Sequence, residues 1–165
     1  MAGKEHMLEL VLELRSKEGS RRELARRKLV KMGGRAVPAL VELLSDKHAH
    51  VRWEACKALG SIVDASAAPN LVKALMDEDI EVQWLAAEGL IMLGERSLKP
   101  LLTALQIDFD SVFLRLGAQR VLHALEREKK LTREARRVLD SLRFLEPASS
   151  TATASREALE SLRKF

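Results

Sequence analysis

Prolines divide this chain at a fixed interval: Pro38, Pro69 and Pro100 follow one another at 31 residues. Trp53 and Trp84 keep the same interval, and so do the acidic residues Asp46 and Asp77. Three residue types with different physical roles thus obey one period. A period of about 20 to 50 residues marks an array of small supersecondary units. Each unit is unable to bury its apolar face alone, so neighbours stack and share one core.

Alignment on the period brings out a recurring segment. It reads Val51-Arg52-Trp53-Glu54-Ala55-Cys56-Lys57-Ala58-Leu59-Gly60-Ser61-Ile62, and then Val82-Gln83-Trp84-Leu85-Ala86-Ala87-Glu88-Gly89-Leu90. A third copy starting at Leu114 needs one extra residue, and an earlier copy, Arg21 to Leu29, is more basic and more degenerate. Terminal units are expected to diverge in this way because they present a polar outer face. Val51, Ala55, Ala58, Leu59 and Ile62 fall on one face of a helix. A second apolar set surrounds each proline: Val37, Leu40, Val41 and Leu44, then Leu71 and Leu75, then Leu98, Leu101, Leu102 and Leu105. Proline in the first turn of a helix removes no hydrogen bond. Each unit therefore reads as a helix, a short acidic turn and a second helix. Composition agrees: the chain is 47% apolar but only 4% aromatic, with no tyrosine, which suits helices better than sheets.

This pattern resembles the HEAT-repeat family, in particular the short HEAT-like repeats first named from phycobilisome lyases. The residues that carry the likeness are Asp46…Val51-Arg52…Ala55…Ala58-Leu59-Gly60…Ile62, followed by Ala68-Pro69…Leu71…Leu75. The resemblance implies an all-α fold: an α-solenoid, a right-handed superhelix of about four to five stacked helical hairpins. It also implies that the turn aspartates Asp46 and Asp77 and the arginines Arg52 and Arg115 link neighbouring repeats. Gln83 stands where the family has arginine, and Gly117 stands at a normally filled position.

Helices are expected at about 5–17, 20–32, 35–45, 49–63, 66–76, 80–93, 97–107, 111–127 and 131–145. Residues 1–146 then form the solenoid domain. Residues 147–154, Pro-Ala-Ser-Ser-Thr-Ala-Thr-Ala, read as a low-complexity linker. Residues 155–165 read as a short amphipathic helix capped by Ser155, with Leu159, Leu162 and Phe165 on one face. No apolar run approaches the ~20 residues needed to span a bilayer. Glu5, Glu9 and Glu13 interrupt the apolar residues near the start, unlike a secretory signal. The single cysteine, Cys56, excludes an intramolecular disulfide framework and a cysteine-based zinc site. A cytoplasmic protein is expected.

Charge is uneven. The net value of +4 combines basic ends with an acidic middle. Arg21, Arg22, Arg26, Arg27, Lys28, Lys31 and Arg35 crowd one segment; Arg127, Lys129, Lys130, Arg133, Arg136 and Arg137 crowd another. Either cluster could meet phosphates, and either could be a solvated capping face. The acidic run Asp77-Glu78-Asp79-Ile80-Glu81 lacks the glycine and ligand spacing of a calcium loop, so it reads as a turn. His48 and His50 have no further ligands nearby in sequence. No phosphate loop, nucleophile elbow or metal motif is present. The sequence therefore points to no catalytic, cofactor-binding or metal-binding residue.

The candidate binding residues follow from the register. Trp53 sits about 200° around the helix from Val51, away from the core stripe. Its face also holds Glu54 and Lys57. The next copy puts Trp84, Leu85 and Glu88 there, the following one Leu116 and Arg120, and the first copy Arg27. In the resembled family this face lines a concave groove. Exposed tryptophan beside charged residues is the composition of a binding hot spot. The reading is a non-enzymatic interaction module that grips a partner protein or peptide, with Trp53 and Trp84 as anchors. Two alternatives stay open. One is nucleic-acid binding through the basic ends, including kinship to HEAT-like DNA glycosylases, which Trp84 and Glu88 faintly resemble. The other is an accessory role in a lyase or maturation complex, implied only by the repeat's name.

Overall fold

The computed structural model describes residues 2–143 and 148–162. Among these the chain is an all-α solenoid of five helical hairpins. They are α1 (Ala2–Glu13) and α2 (Gly19–Met32), α3 (Val37–Leu43) and α4 (Ala49–Ile62), α5 (Ala68–Ala74) and α6 (Ile80–Leu93), α7 (Leu98–Ile107) and α8 (Val112–Arg127), and α9 (Arg133–Arg143) and α10 (Ala148–Leu162). Short 3-10 turns at Gly33–Ala36, Ala65–Ala67 and Gly94–Ser97 lead into α3, α5 and α7.

The second helices form one layer, α2 against α4, α4 against α6 and α6 against α8. The core lies between this layer and the first helices. Val51, Ala55, Ala58 and Leu59 are buried there, as are Val82, Ala86 and Leu90 and the proline-side leucines Leu40, Leu71, Leu101 and Leu105. Small residues set the spacing. A Cβ on Gly60 would lie 3.2 Å from the Gly89 Cα, so α4 and α6 touch backbone to backbone. Gly117 has a different reason. A Cβ there would meet the Leu75 side chain at 2.9 Å, so a larger neighbour fills the space that the glycine leaves.

Helix ends repeat as well. Gly33 and Gly94 close α2 and α6 at φ 61° and 63°, the left-handed side where glycine has no steric penalty. Val63 closes α4 with a φ of 57°. A β-branched residue is strained there, and its place one period before Gly94 shows that the repeat geometry overrides local preference.

The last hairpin corrects the expected linker. Residues 148–154 are the first half of α10, and Ser155 is no N-cap: it is buried within the helix, its hydroxyl donating to the Thr151 carbonyl at 2.7 Å. Thr151, Ser155 and Ala158 form a fully buried stripe at i, i+4 and i+7. Their small side chains let α10 lie close against α7 and α9, and Thr151 Oγ1 meets Ser141 Oγ at 3.1 Å. A Ser/Thr/Ala run reads as linker by composition, yet alanine is the best helix former and small polar residues pack well once paired. Pro147 and Phe165 lie outside the described residues. α9 stacks on α8 and α10 on α7, so this hairpin enters the stack in reverse order. Ala158→Leu is expected to destabilise the protein by about 1–3 kcal/mol through overpacking. An unchanged urea midpoint would show that α10 does not dock in solution.

Candidate binding groove

Two sets of side chains tie neighbouring hairpins together, one along the turn edge and one across the exposed face of the second helices. At the turn edge the aspartates cap themselves: Asp46 Oδ1 accepts from the His48 N–H and Asp77 Oδ1 from the Asp79 N–H, both at 2.9 Å. Arg52 Nε donates to Asp77 Oδ2 at 2.7 Å and its Nη2 to Asp77 Oδ1 at 2.8 Å, a bidentate pair. Its Nη1 reaches back to the Asp46 carbonyl at 2.9 Å, so one side chain spans two turns. Arg15 stands one period before Asp46 and donates to it at 2.7 Å. Gln83 repeats half of this pattern. Its amide donates to the Asp77 carbonyl at 2.6 Å, but among the described residues it makes no bond to the following turn.

Burial opposes ionisation of Asp46. The backbone N–H and ring of His48, together with Arg15, outweigh that and hold its pKa below the ordinary 3.8. A depressed carboxylate contributes stability above its unfolded pKa and loses it as pH falls through the folded one. The urea midpoint should therefore fall as pH drops below about 4. Asp46→Asn should flatten that part of the profile, and an identical slope in the variant would exclude Asp46 as a contributor.

Across the exposed face, each tryptophan is flanked by a clamped arginine from a neighbouring helix. Trp84 is about half exposed. The Arg120 guanidinium of α8 stacks 3.1 Å from its ring centroid and bonds Glu88 Oε1 at 2.8 Å. Trp53 is half-buried against the core, with Lys57 Nζ 4.4 Å from its ring centroid and Arg26 5.7 Å away. Arg26 and Arg22 of α2 bond Glu54 at 2.5 and 3.3 Å. Here a cleft of about 620 Å³ opens, walled by Arg22, Arg26, Trp53 and Lys57, with Asp79 and Glu81 on its far side.

A model of HEAT repeats matches residues 7–79 and again 37–122, most of the chain. The chain belongs to the HEAT-repeat family. No curated protein matches it. The arginine–aspartate links at the turn edge are thus the seams between its HEAT repeats.

The HEAT register brings Trp53, Lys57, Trp84, Glu88 and Arg120 onto neighbouring second helices. Leu116 is exposed on α8, Leu85 is half-buried, and Arg27 is exposed and paired with Glu23 on its own helix. Glu54 departs from expectation. Only 4% of its side chain is exposed, and both its oxygens are taken by arginines of α2, so it cannot meet a partner's charge. The reason is its place one residue on from Trp53, turned toward α2. Arg22 and Arg26, read in sequence as part of a basic cluster that could meet phosphates or form a solvated capping face, belong to this cleft. A signal existed: Glu54 occupies the position of Leu85 one period later, and a lone carboxylate at an apolar position needs a cation. Other basic residues are similarly engaged: Arg21 with Glu18, and Arg136 and Arg143 with Glu126. Arg115 is half-buried on α8. Burial drives the Cys56 pKa up to about 12, which makes it an inert thiol. Among the described residues no three His, Cys, Asp or Glu side chains are placed to hold a metal ion, and no helix is long and apolar enough to cross a membrane.

Proposed function

We propose that this HEAT solenoid is a non-enzymatic interaction module. It takes a partner protein or peptide along the exposed face of α4, α6 and α8, with Trp84 and Trp53 as anchors. HEAT repeats commonly mediate protein–protein interaction. One observation supports the reading most: Trp84 is 55% exposed although its ring is already fixed in place by Arg120. A rigid aromatic surface gives up little conformational entropy on binding, which is why such residues dominate interfaces. The cleft beside Trp53 supplies a recess for a side chain of the partner, and Lys57 at its edge can set register.

The test is affinity capture from extract of the source cells with the native chain and with Trp53→Ala/Trp84→Ala. Expected is a specific partner retained by the first and lost from the second, with cooperative thermal unfolding kept in both. Equal capture by the two proteins would refute the tryptophan anchors.

A further inference from the structure

Of the ten large apolar side chains exposed among the described residues, Leu8, Leu12, Leu24 and Met92 lie apart and the other six gather in one region. Ile80 and Trp84 lie in the first two turns of α6, and Val112, Phe113 and Leu116 in the first two turns of α8. Ile107 ends α7 beside them, and all six are more than half exposed. α6 and α8 are adjacent, parallel second helices, tied by Arg120 to Trp84 and Glu88. Their first turns therefore share one surface. Single exposed apolar residues are ordinary, but a contiguous cluster marks an interaction site.

The rim of this cluster has one sign of charge. Glu78, Glu81, Asp108 and Asp110 are all exposed around it. Residues 77–113 carry eight acidic and two basic side chains. Arg52 neutralises Asp77 and also bonds Glu78, Arg120 pairs with Glu88, and Asp79 caps α6, which leaves Glu81, Asp108 and Asp110. The remaining carboxylates keep the rim negative. An acidic peptide or a nucleic acid would meet repulsion here, and a cationic segment would be steered in.

We propose that this surface docks a basic amphipathic helix of a partner protein. Apolar side chains of that helix at i, i+4 and i+7 would seat on Trp84, Phe113 and Leu116, and its lysines and arginines would lie over the acidic rim. This rests on the groove reading above and adds the secondary structure and charge of the occupant.

Two tryptophan-free synthetic helices test it. Both carry the same leucine stripe; one has lysine and the other glutamate at every remaining position. Each is titrated into the full chain, with tryptophan emission and calorimetric heat as readouts at low and high salt. The lysine peptide is expected to bind, to weaken as salt rises, and to lose about 30-fold or more in affinity on Phe113→Ala/Leu116→Ala. Glu81→Lys/Asp110→Lys is expected to shift preference toward the glutamate peptide. Both variants change exposed side chains, and circular dichroism checks that they stay folded. Preference of the native chain for the glutamate peptide would overturn the proposal. If that binding also vanished in Trp84→Ala, the groove reading would stand while the charge assignment fell. Absence of binding by either peptide would overturn it as well. So would a concentration-dependent dimer in sedimentation that Phe113→Asp disperses, because a second copy would then be the occupant.

Discussion

Arg52→Ala is expected to lower the free energy of unfolding by about 3 kcal/mol. Only 7% of the Arg52 side chain and 8% of Asp77 are exposed, so truncation leaves a carboxylate with neither water nor a cation. It also strands the Asp46 carbonyl that Arg52 Nη1 serves. The figure lies at the low end for a broken buried pair because Glu78, its third partner, is 83% exposed and lets water reach the edge of the site. Arg15→Ala provides the scale. Arg15 is 42% exposed, and its pair with Asp46 should be worth less than about 1 kcal/mol. Urea unfolding of both variants measures the difference. Equal losses would mean that burial does not separate the two links.

Glu54→Ala is expected to lose about 2–3 kcal/mol. The carboxylate is the counter-ion for Arg22 and Arg26 together, and without it two guanidinium groups face each other in a cleft floored by Trp53. Glu54→Leu installs the residue that the next repeat carries at this position, Leu85. That change alone should be nearly as damaging, because the arginines still lack a counter-ion, although Arg22 keeps its bonds to the Ser16 and Lys17 carbonyls. Glu54→Leu/Arg22→Met/Arg26→Leu removes the whole cluster, and most of the loss should return, since an apolar replacement of a complete buried ionic group is often neutral or better. Failure of the triple variant to recover would mean that the cluster does more than compensate itself. Tryptophan emission reports the same event: Trp53 should shift to the red once Arg26 is released.

The period was legible because prolines, tryptophans and turn aspartates each answer a separate geometric demand of the hairpin. Repeating the hairpin repeats all three. The core stripe followed from it, as Val51, Ala55 and Leu59 show. The turn links Arg52–Asp77 and Arg15–Asp46 differ in legibility. The first lay in the resemblance to HEAT repeats; the second was hidden, because Arg15 sits where later copies carry the aspartate and the charges are exchanged. The groove was harder. A helical wheel turns Trp53 away from the core, but it says nothing about which neighbouring helix stands beside Glu54. That depends on lateral packing between α2 and α4, and it decides whether a carboxylate meets solvent or two arginines. α10 was misread at its start for a related reason. Thr151 and Ser155 are polar in sequence, and only the partner helices show that their small size, not their polarity, is what the position requires.

Gln83 has a mechanical consequence. The first three hairpins are fastened along the turn edge by Arg15 and Arg52. Among the described residues no such fastening crosses from α6 to the turn after α7. There the side-chain tie sits on the opposite margin, where Arg120 clasps Trp84 and Glu88. A stack tied on both margins at its first seam, and on opposite single margins at the next two, does not bend evenly. Its compliance is expected to be greatest at the seam between the third and fourth hairpins, where Arg120 supplies the tie to Trp84 and Glu88. A ligand that competes with Arg120 for the face of Trp84 would loosen that seam as it binds. Occupancy and curvature of the solenoid would then be read by the same side chain.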